Sequence, residues 1–240
     1  MPDAIQRLNM RSVRKWTTLA LTRARLLETS KQRGQREMIV DAFNYTAFSQ
    51  VAGDYLEFGV YRGDSFINAW DSARVSGRHD VRFYAFDSFR GLPDPETSAS
   101  DADGEFVKGQ FSAERSLFEQ NLRRAGVDLG RVTVVEGFYE STLPGTSPAD
   151  IGLHAASIVW VDCDLYVSTM CALDFVTDLL QDGSVLAFDD WHCFRSRPDM
   201  GEQKACAEWL SRNPQITLSH YHDFHWAGRS FIAHVDAGPG

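Results

Sequence analysis

Residues 157–190 read SIVWVDCDLYVSTMCALDFVTDLLQDGSVLAFDD. Ser157–Asp162 is a short apolar run, Ser168–Leu180 repeats its apolar residues at helical spacing, and Ser184–Phe188 is a second apolar run. Runs of this length and composition read as strands apolar on both faces, joined by a crossover helix. Such strands belong to a parallel sheet covered by helices on both sides. Both strands end in acid: Asp162 with Asp164, and Asp189 with Asp190. Ligands of an open parallel sheet sit outside the carboxyl ends of its strands, so these ends are where chemistry is expected.

The pattern extends in both directions. Tyr55–Val60, Val81–Asp87 and Val132–Glu136 read as strands, and Ser65–Val75 and Ala113–Ala125 as helices between them. A helix is expected over Glu37–Val51 and another over Glu202–Ser211. Ile216–Tyr221 and Arg229–Val235 follow, with residues 222–228 able to turn the chain back into an antiparallel pair. The expected fold is α/β: a seven-stranded, mostly parallel sheet with an antiparallel final hairpin, preceded by N-terminal helices. Leu92–Gly109 is polar, contains Pro and Gly, and is long enough to read as a lid or a disordered loop.

The chain has 240 residues, 43% hydrophobic and 24% charged, which is globular composition. The net charge of -9 is unevenly spread: residues 1–37 hold nine Lys/Arg against Asp3, Glu28 and Glu37. We therefore read residues 1–37 as a basic helical extension and 38–240 as the catalytic-size domain. The extension is expected to pack on the body or form a homo-oligomer contact, with membrane or partner binding as the alternative. The acidic remainder argues against nucleic acid. No apolar run is long enough to span a membrane and no secretory signal is evident, so a cytoplasmic setting is expected. Cys163, Cys171, Cys193 and Cys206 form no CxxC and suit neither zinc nor a disulfide framework.

Every expected parallel strand ends in a carboxylate: Glu57, Asp87, Glu136, Asp162 with Asp164, and Asp189 with Asp190. The turn Glu57-Phe-Gly59-Val-Tyr-Arg-Gly63 lets Gly59 bring backbone close to a ligand and Gly63 relieve helix packing. It is neither GxGxxG nor a Walker A motif, which disfavours NAD and ATP. Asp87, at the end of the second strand, suits the vicinal hydroxyls of a ribose. Asp162, Asp164, Asp189 and Asp190 lie one crossover unit apart and crowd like charges that need a cation or proton, for which Mg²⁺ or another divalent cation is the natural partner. His192 is a loop histidine and a rival base. His220, His222 and His225 are expected to be exposed. Tyr61, Phe86, Phe89, Phe138, Tyr139 and Trp191 flank the strand ends as core or as walls for a flat base.

Five stretches together resemble the macrocin O-methyltransferase family: 55–63, 86–93, 135–138, 162–169 and 188–191. The Phe-Asp-Ser-Phe-x-Gly-Leu-Pro and Asp-x-Asp-Leu-Tyr-x-Ser-Thr blocks carry most of the specificity, and the resemblance covers about residues 38–235. It implies a Rossmann-like class I methyltransferase using S-adenosylmethionine, with Mg²⁺, on a hydroxyl of a sugar or glycosylated natural product. It places Glu57 and the Gly59, Tyr61, Arg62, Gly63 turn by the methionine part of the cofactor. Asp87, with Ser88 nearby, would hold the ribose, and Gly137 and Phe138 would lie against the adenine. It makes Asp162, Asp189 and Asp190 metal ligands and Asp164 the general base. Two other classes fit parts of the pattern: a metal-dependent glycosyltransferase using Asp-x-Asp, and a non-catalytic binding protein on the same fold.

Overall fold

In the computed structural model the described residues are 30–236. Of the expected helical extension over residues 1–37, residues 1–29 lie outside them. The elements run α1 (Ser30–Phe48), β1 (Asp54–Phe58), α2 (Asp64–Val75), β2 (Phe83–Asp87), α3 (Arg115–Ala125), β3 (Val132–Glu136), a single turn α4 (Tyr139–Thr142), β4 (Ala156–Val161), α5 (Tyr166–Val176), β5 (Leu180–Phe188), α6 (Gly201–Arg212), β6 (Ile216–Asp223) and β7 (Arg229–Val235). The seven strands form one sheet in the order β3-β2-β1-β4-β5-β7-β6. β1 to β5 pair in parallel, and β7 runs antiparallel between β5 and β6.

Alternate strand residues build two cores, as the period of two requires. Leu56, Phe58, Tyr84, Phe86, Val159, Val161, Leu186 and Phe188 face one side with residues of α5 and α6. Tyr55, Phe83, Ala85, Ile158, Trp160, Val185 and Ala187 face the other with α1, α2 and α3. Register aligns the strand ends. Phe58 pairs with Phe86 and with Val161, and Val161 pairs with Phe188. Gly59, Asp87, Asp162 and Asp189 therefore leave the sheet side by side.

Several bounds differ from those expected. β1 stops at Phe58 because Gly59 adopts φ 92, outside extended backbone. The helix expected to reach Leu180 ends at Val176, and β5 begins at Leu180, with Gly183 at φ 93 interrupting its first residues. α1 already covers Ser30–Arg36, ahead of the expected start at Glu37, and runs through the 37/38 division between extension and body. This stretch is polar and contains Gly34, a poor helix former, so the sequence pattern hides it. An added Cβ at Gly34 would overlap the Phe224 carbonyl, so this glycine lets α1 seat directly on the β6–β7 turn.

The segment 92–109 is an ordered strap. Leu92 N–H donates to Gln110 O and Gly109 N–H donates to Leu92 O, both at 2.9 Å, closing the ends together. Phe106 packs with Leu165, Phe194, Met200 and Ala227 in a third apolar cluster. Among the described residues, no helix is long and apolar enough to cross a membrane.

Candidate active site

The strand ends open on a cavity of about 410 Å³. Its walls include Gly59, Tyr61, Asp87, Ser88, Gly137, Phe138, Asp162 and Asp164 from the expected set. Lys31 and Gln35 of α1 complete it from the far side. Glu57, Arg62, Gly63, Asp189, Asp190 and His192 do not line it.

At one end Asp87 organises the turn after β1. Its Oδ2 accepts from Val60 N–H and Tyr61 N–H, each at 2.9 Å, and its Oδ1 accepts from Phe89 N–H at 2.7 Å. A carboxylate has about four acceptor positions, so about one remains for a ligand. The expectation of a free carboxylate for a diol is thus narrowed: Asp87 also holds the backbone that faces the ligand. Burial raises its pKa against these hydrogen bonds. Tyr61 sits at φ 45, a costly conformation for a bulky residue, held by its N–H bond to Asp87. Gly59 allows β1 and β4 to close, since a Cβ there would overlap the Asp162 carbonyl. Gly63 faces the Phe118 ring, 2.9 Å from where a Cβ would stand, so it serves helix packing. Ser88 donates to Gly91 O at 2.9 Å and accepts from Arg90 N–H at 3.0 Å, capping its own turn. Arg62 stacks over the Tyr61 ring.

Two expected acids stand apart. Glu57 shares a sheet face with Tyr55 and is fully buried. Tyr55 OH and Ser65 OH each donate to it at 2.5 Å, and burial pushes its pKa up to about 8. It lies behind the cavity wall, fastening β1 to α2. Glu136 pairs with Arg115 on the surface at 3.2 Å, outside the cavity. Of the aromatic residues, Tyr61, Phe138 and Tyr139 reach the wall, while Phe86 and Phe89 belong to the cores. Trp191 packs on Phe188 and Phe231.

The other end is the acidic cluster. Asp162, Asp189 and Asp190 each bring a carboxylate oxygen within 4.8 Å of the others. Asp164 takes φ 60, which an aspartate tolerates better than most residues, and its carboxyl is within hydrogen-bonding reach of Asp190. Burial, then the neighbouring negative charges, raise the pKa of both Asp162 and Asp164. Asp190 Oδ2 and Glu202 Oε1 are buried without a hydrogen-bond partner. Facing carboxylates with unpartnered oxygens must share a proton or a cation. An oxygen-only donor set with orphaned buried oxygens fits a hard divalent ion.

Four residues of this cluster escaped the sequence reading. Lys31 Nζ lies 2.6 Å from Asp189 Oδ2 and 3.3 Å from Asp190 Oδ1. Burial works against its charge, but Asp189, Asp162 and Asp190 outweigh it and hold the ammonium well above the usual lysine range. Gln35 donates to Asp189 Oδ1 at 2.9 Å. His225, expected to be exposed, has a fully buried ring that bonds Asp189 Oδ1 at 3.1 Å. Its Nδ1 accepts from Ala227 and Gly228 N–H, so the proton on Nε2 points at Asp189. Burial would raise the Asp189 pKa; His225 and Lys31 overcome this and lower it. Glu202 is buried and accepts from Asp190 N–H at 3.1 Å. Lys31, Gln35 and His225 approach from opposite ends of the chain, and nothing in the local pattern announces them. His192 is not gathered into the cluster. Its Nδ1 meets Ser196 Oγ at 2.5 Å and its Nε2 is 4.0 Å from Asp223.

The tetracenomycin-C derivative 4'-O-methyltransferase of Streptomyces olivaceus, which acts on a 2,3-dimethoxy-α-L-rhamnosyl compound by its name, is 29% identical over 145 residues. That match covers 59% of this chain and 54% of the relative, so the chain spans about half the length of the curated relative it matches. The O-methyltransferase NovP superposes with a TM-score of 0.68 at 19% identity, covering 83% of this chain and 79% of that one. TomG of Streptomyces achromogenes, an O-methyltransferase solved in complex with SAM, superposes with a TM-score of 0.56 at 18% identity, covering 92% and 97%. The family model of macrocin O-methyltransferase (TylF) matches residues 23–204, from the helix that carries Lys31 through the acidic cluster to α6, and the chain belongs to that family.

Proposed function

We propose that the protein is an S-adenosylmethionine-dependent O-methyltransferase acting on a hydroxyl of a sugar or glycosylated natural product, with Mg²⁺ or another divalent cation at Asp162, Asp189 and Asp190. The observation that carries the reading is one cavity lined both by Asp87 with its turn and by Asp162 and Asp164 of the acidic cluster. Family membership, the rhamnosyl compound in the name of one relative and the SAM complex of a structural neighbour support it.

Methyl transfer from a sulfonium is an in-line displacement, so positioning matters most. Asp87 offers its remaining acceptor to a ribose hydroxyl, and Gly59, Tyr61, Gly137 and Phe138 wall the cofactor. Asp164 lies on the cavity wall beside the cluster and accepts the proton of the attacking hydroxyl. Asp162, Asp189 and Asp190 would hold a divalent cation, which would orient the acceptor and lower its hydroxyl pKa. Gln35 and His225 fix the Asp189 carboxylate by holding its Oδ1.

Calorimetric titration with S-adenosylhomocysteine tests the cofactor. Methyl transfer to a panel of rhamnosylated and other glycosylated acceptors, with Mg²⁺ and with chelator, tests the reaction. Absence of S-adenosylhomocysteine binding overturns the cofactor assignment. Undiminished turnover in chelator removes the cation while leaving methyl transfer intact.

A further inference from the structure

We propose that the Lys31 ammonium and a divalent cation are alternative occupants of the same acidic site, so that metal binds only by displacing Lys31. The inference rests on the divalent-cation reading above and adds a residue of α1 to it.

The geometry makes the two cations exclusive. Lys31 Nζ lies against Asp189 Oδ2 and Asp190 Oδ1, two of the three carboxylates that converge. Asp189 is divided between its oxygens. Oδ1 takes the Gln35 and His225 donors, whereas Oδ2 takes the Lys31 ammonium. With Mg²⁺–oxygen distances of about 2.1 Å, an ion shared by Asp189 Oδ2 and Asp190 Oδ1 would crowd the ammonium against a like charge.

Lys31 is also built to leave. Its side chain is 34% exposed and it lines the open cavity. A flexible four-carbon stem can carry the ammonium away without unwinding the helix. Gln35, one turn further along α1, keeps its own bond to Asp189. α1 itself is anchored by Met38, Ile39, Ala42 and Phe43 in the core and by the close seat of Gly34 on Phe224. The exchange therefore moves one side chain, and the helix stays. In the metal-free protein the ammonium offsets charge that would otherwise repel, and metal affinity is reduced by the fraction of molecules with Lys31 seated.

The test is calorimetric titration of Mg²⁺ into the wild-type chain and into Lys31→Met, with acetic anhydride labelling of wild-type Lys31 read by mass spectrometry. We expect Lys31→Met to bind Mg²⁺ about tenfold more tightly or better, by the removal of that competitor. We expect saturating Mg²⁺ to speed the labelling of Lys31. Equal or weaker Mg²⁺ affinity in Lys31→Met overturns the exchange while the metal site stands. So does unchanged Lys31 labelling in wild-type protein that calorimetry shows to be loaded. If neither protein binds Mg²⁺, the divalent-cation reading falls and the exchange falls with it. Should Lys31→Met fold only with metal present, the wild-type labelling alone decides.

Discussion

Asp101 Oδ1 accepts the backbone N–H of Tyr166 at 2.6 Å, across 65 residues of sequence. Tyr166 opens the helix after Asp162-Cys163-Asp164, and Asp101 belongs to the strap over residues 92–109. The strap thus caps the helix whose entry turn carries Asp164 in its left-handed conformation. Val167 N–H adds a longer bond to Asp101 Oδ2 at 3.4 Å. Asp101 is 1% exposed, and burial pushes its pKa up to about 6. Asp101→Ala is expected to cost about 1–2 kcal/mol, the upper range for losing a helix cap. Asp101→Asn, which keeps an acceptor, should cost less. Urea denaturation of both variants gives the comparison, and equal losses would remove the capping role.

Glu57 predicts a pH dependence. Its folded pKa of about 8 lies above the ordinary glutamate value of 4.5 because of burial, with hydrogen bonds from Ser65 and Tyr55 opposing. The folded state therefore holds a proton that the unfolded state releases between these values. Stability should fall as pH rises from about 4.5 to 8, with a limiting slope of about 1.4 kcal/mol per unit from this group. Glu57→Gln should show a flatter profile over the same window. Denaturant midpoints measured at intervals across it settle the matter, and parallel profiles would count against a protonated Glu57.

Asp87 should couple stability to cofactor affinity. It holds three backbone N–H groups as well as offering an acceptor to the cavity. Removing a charged partner costs about 1.5–3 kcal/mol, or roughly 10- to 150-fold in binding. Asp87→Ala should lose S-adenosylhomocysteine affinity in that range and also lower the melting temperature. Calorimetry and thermal denaturation are the two readouts. Unchanged affinity would disprove the ribose contact.

Gly34→Ala pits helix propensity against contact. In an exposed helix the change gains up to about 1 kcal/mol. Here the Cβ would overlap the Phe224 carbonyl, and overpacking of this kind costs about 1–3 kcal/mol. A net loss is expected, with weaker seating of Lys31 and Gln35 on Asp189. Gly145, which has open space around it, is the control: Gly145→Ala should stay within about 0.5 kcal/mol of wild type. Chemical denaturation of the two variants side by side checks this, and a Gly34→Ala protein as stable as wild type would mean that α1 can shift.

Asp164 and His192 separate cleanly in their expected kinetics. Asp164→Asn should cut turnover by on the order of 10²–10⁴ if it is the base, while S-adenosylhomocysteine affinity stays near wild type. His192→Ala should keep wild-type turnover, because its ring bonds Ser196 away from the cavity wall. Steady-state kinetics on both variants decide the assignment, and the reversed result would move the base to His192.

Local chemistry carried much of this architecture into the linear chain. Strands buried on both faces must be apolar throughout, so β1 to β5 stand out from their own residues. Parallel pairing sends their carboxyl ends to one edge, which is why Asp87, Asp162, Asp164, Asp189 and Asp190 could be gathered without coordinates. What neighbours in sequence cannot encode is the long-range contact. Glu136 ends its strand just as Asp87 does, and Glu57 lies one residue inside the end of β1. Yet sheet-face alternation buries Glu57 among hydroxyls, and Arg115 claims Glu136 at the surface. Lys31 sits in a polar stretch and His225 in a turn between Phe224 and Trp226, and no local pattern marks either as a partner of Asp189. Only the docking of α1 on the β6–β7 turn, permitted by the missing side chain of Gly34, sets both against Asp189. Charge placement of this kind depends on distances across the whole chain, and those exist only once the sheet and its covering helices have packed.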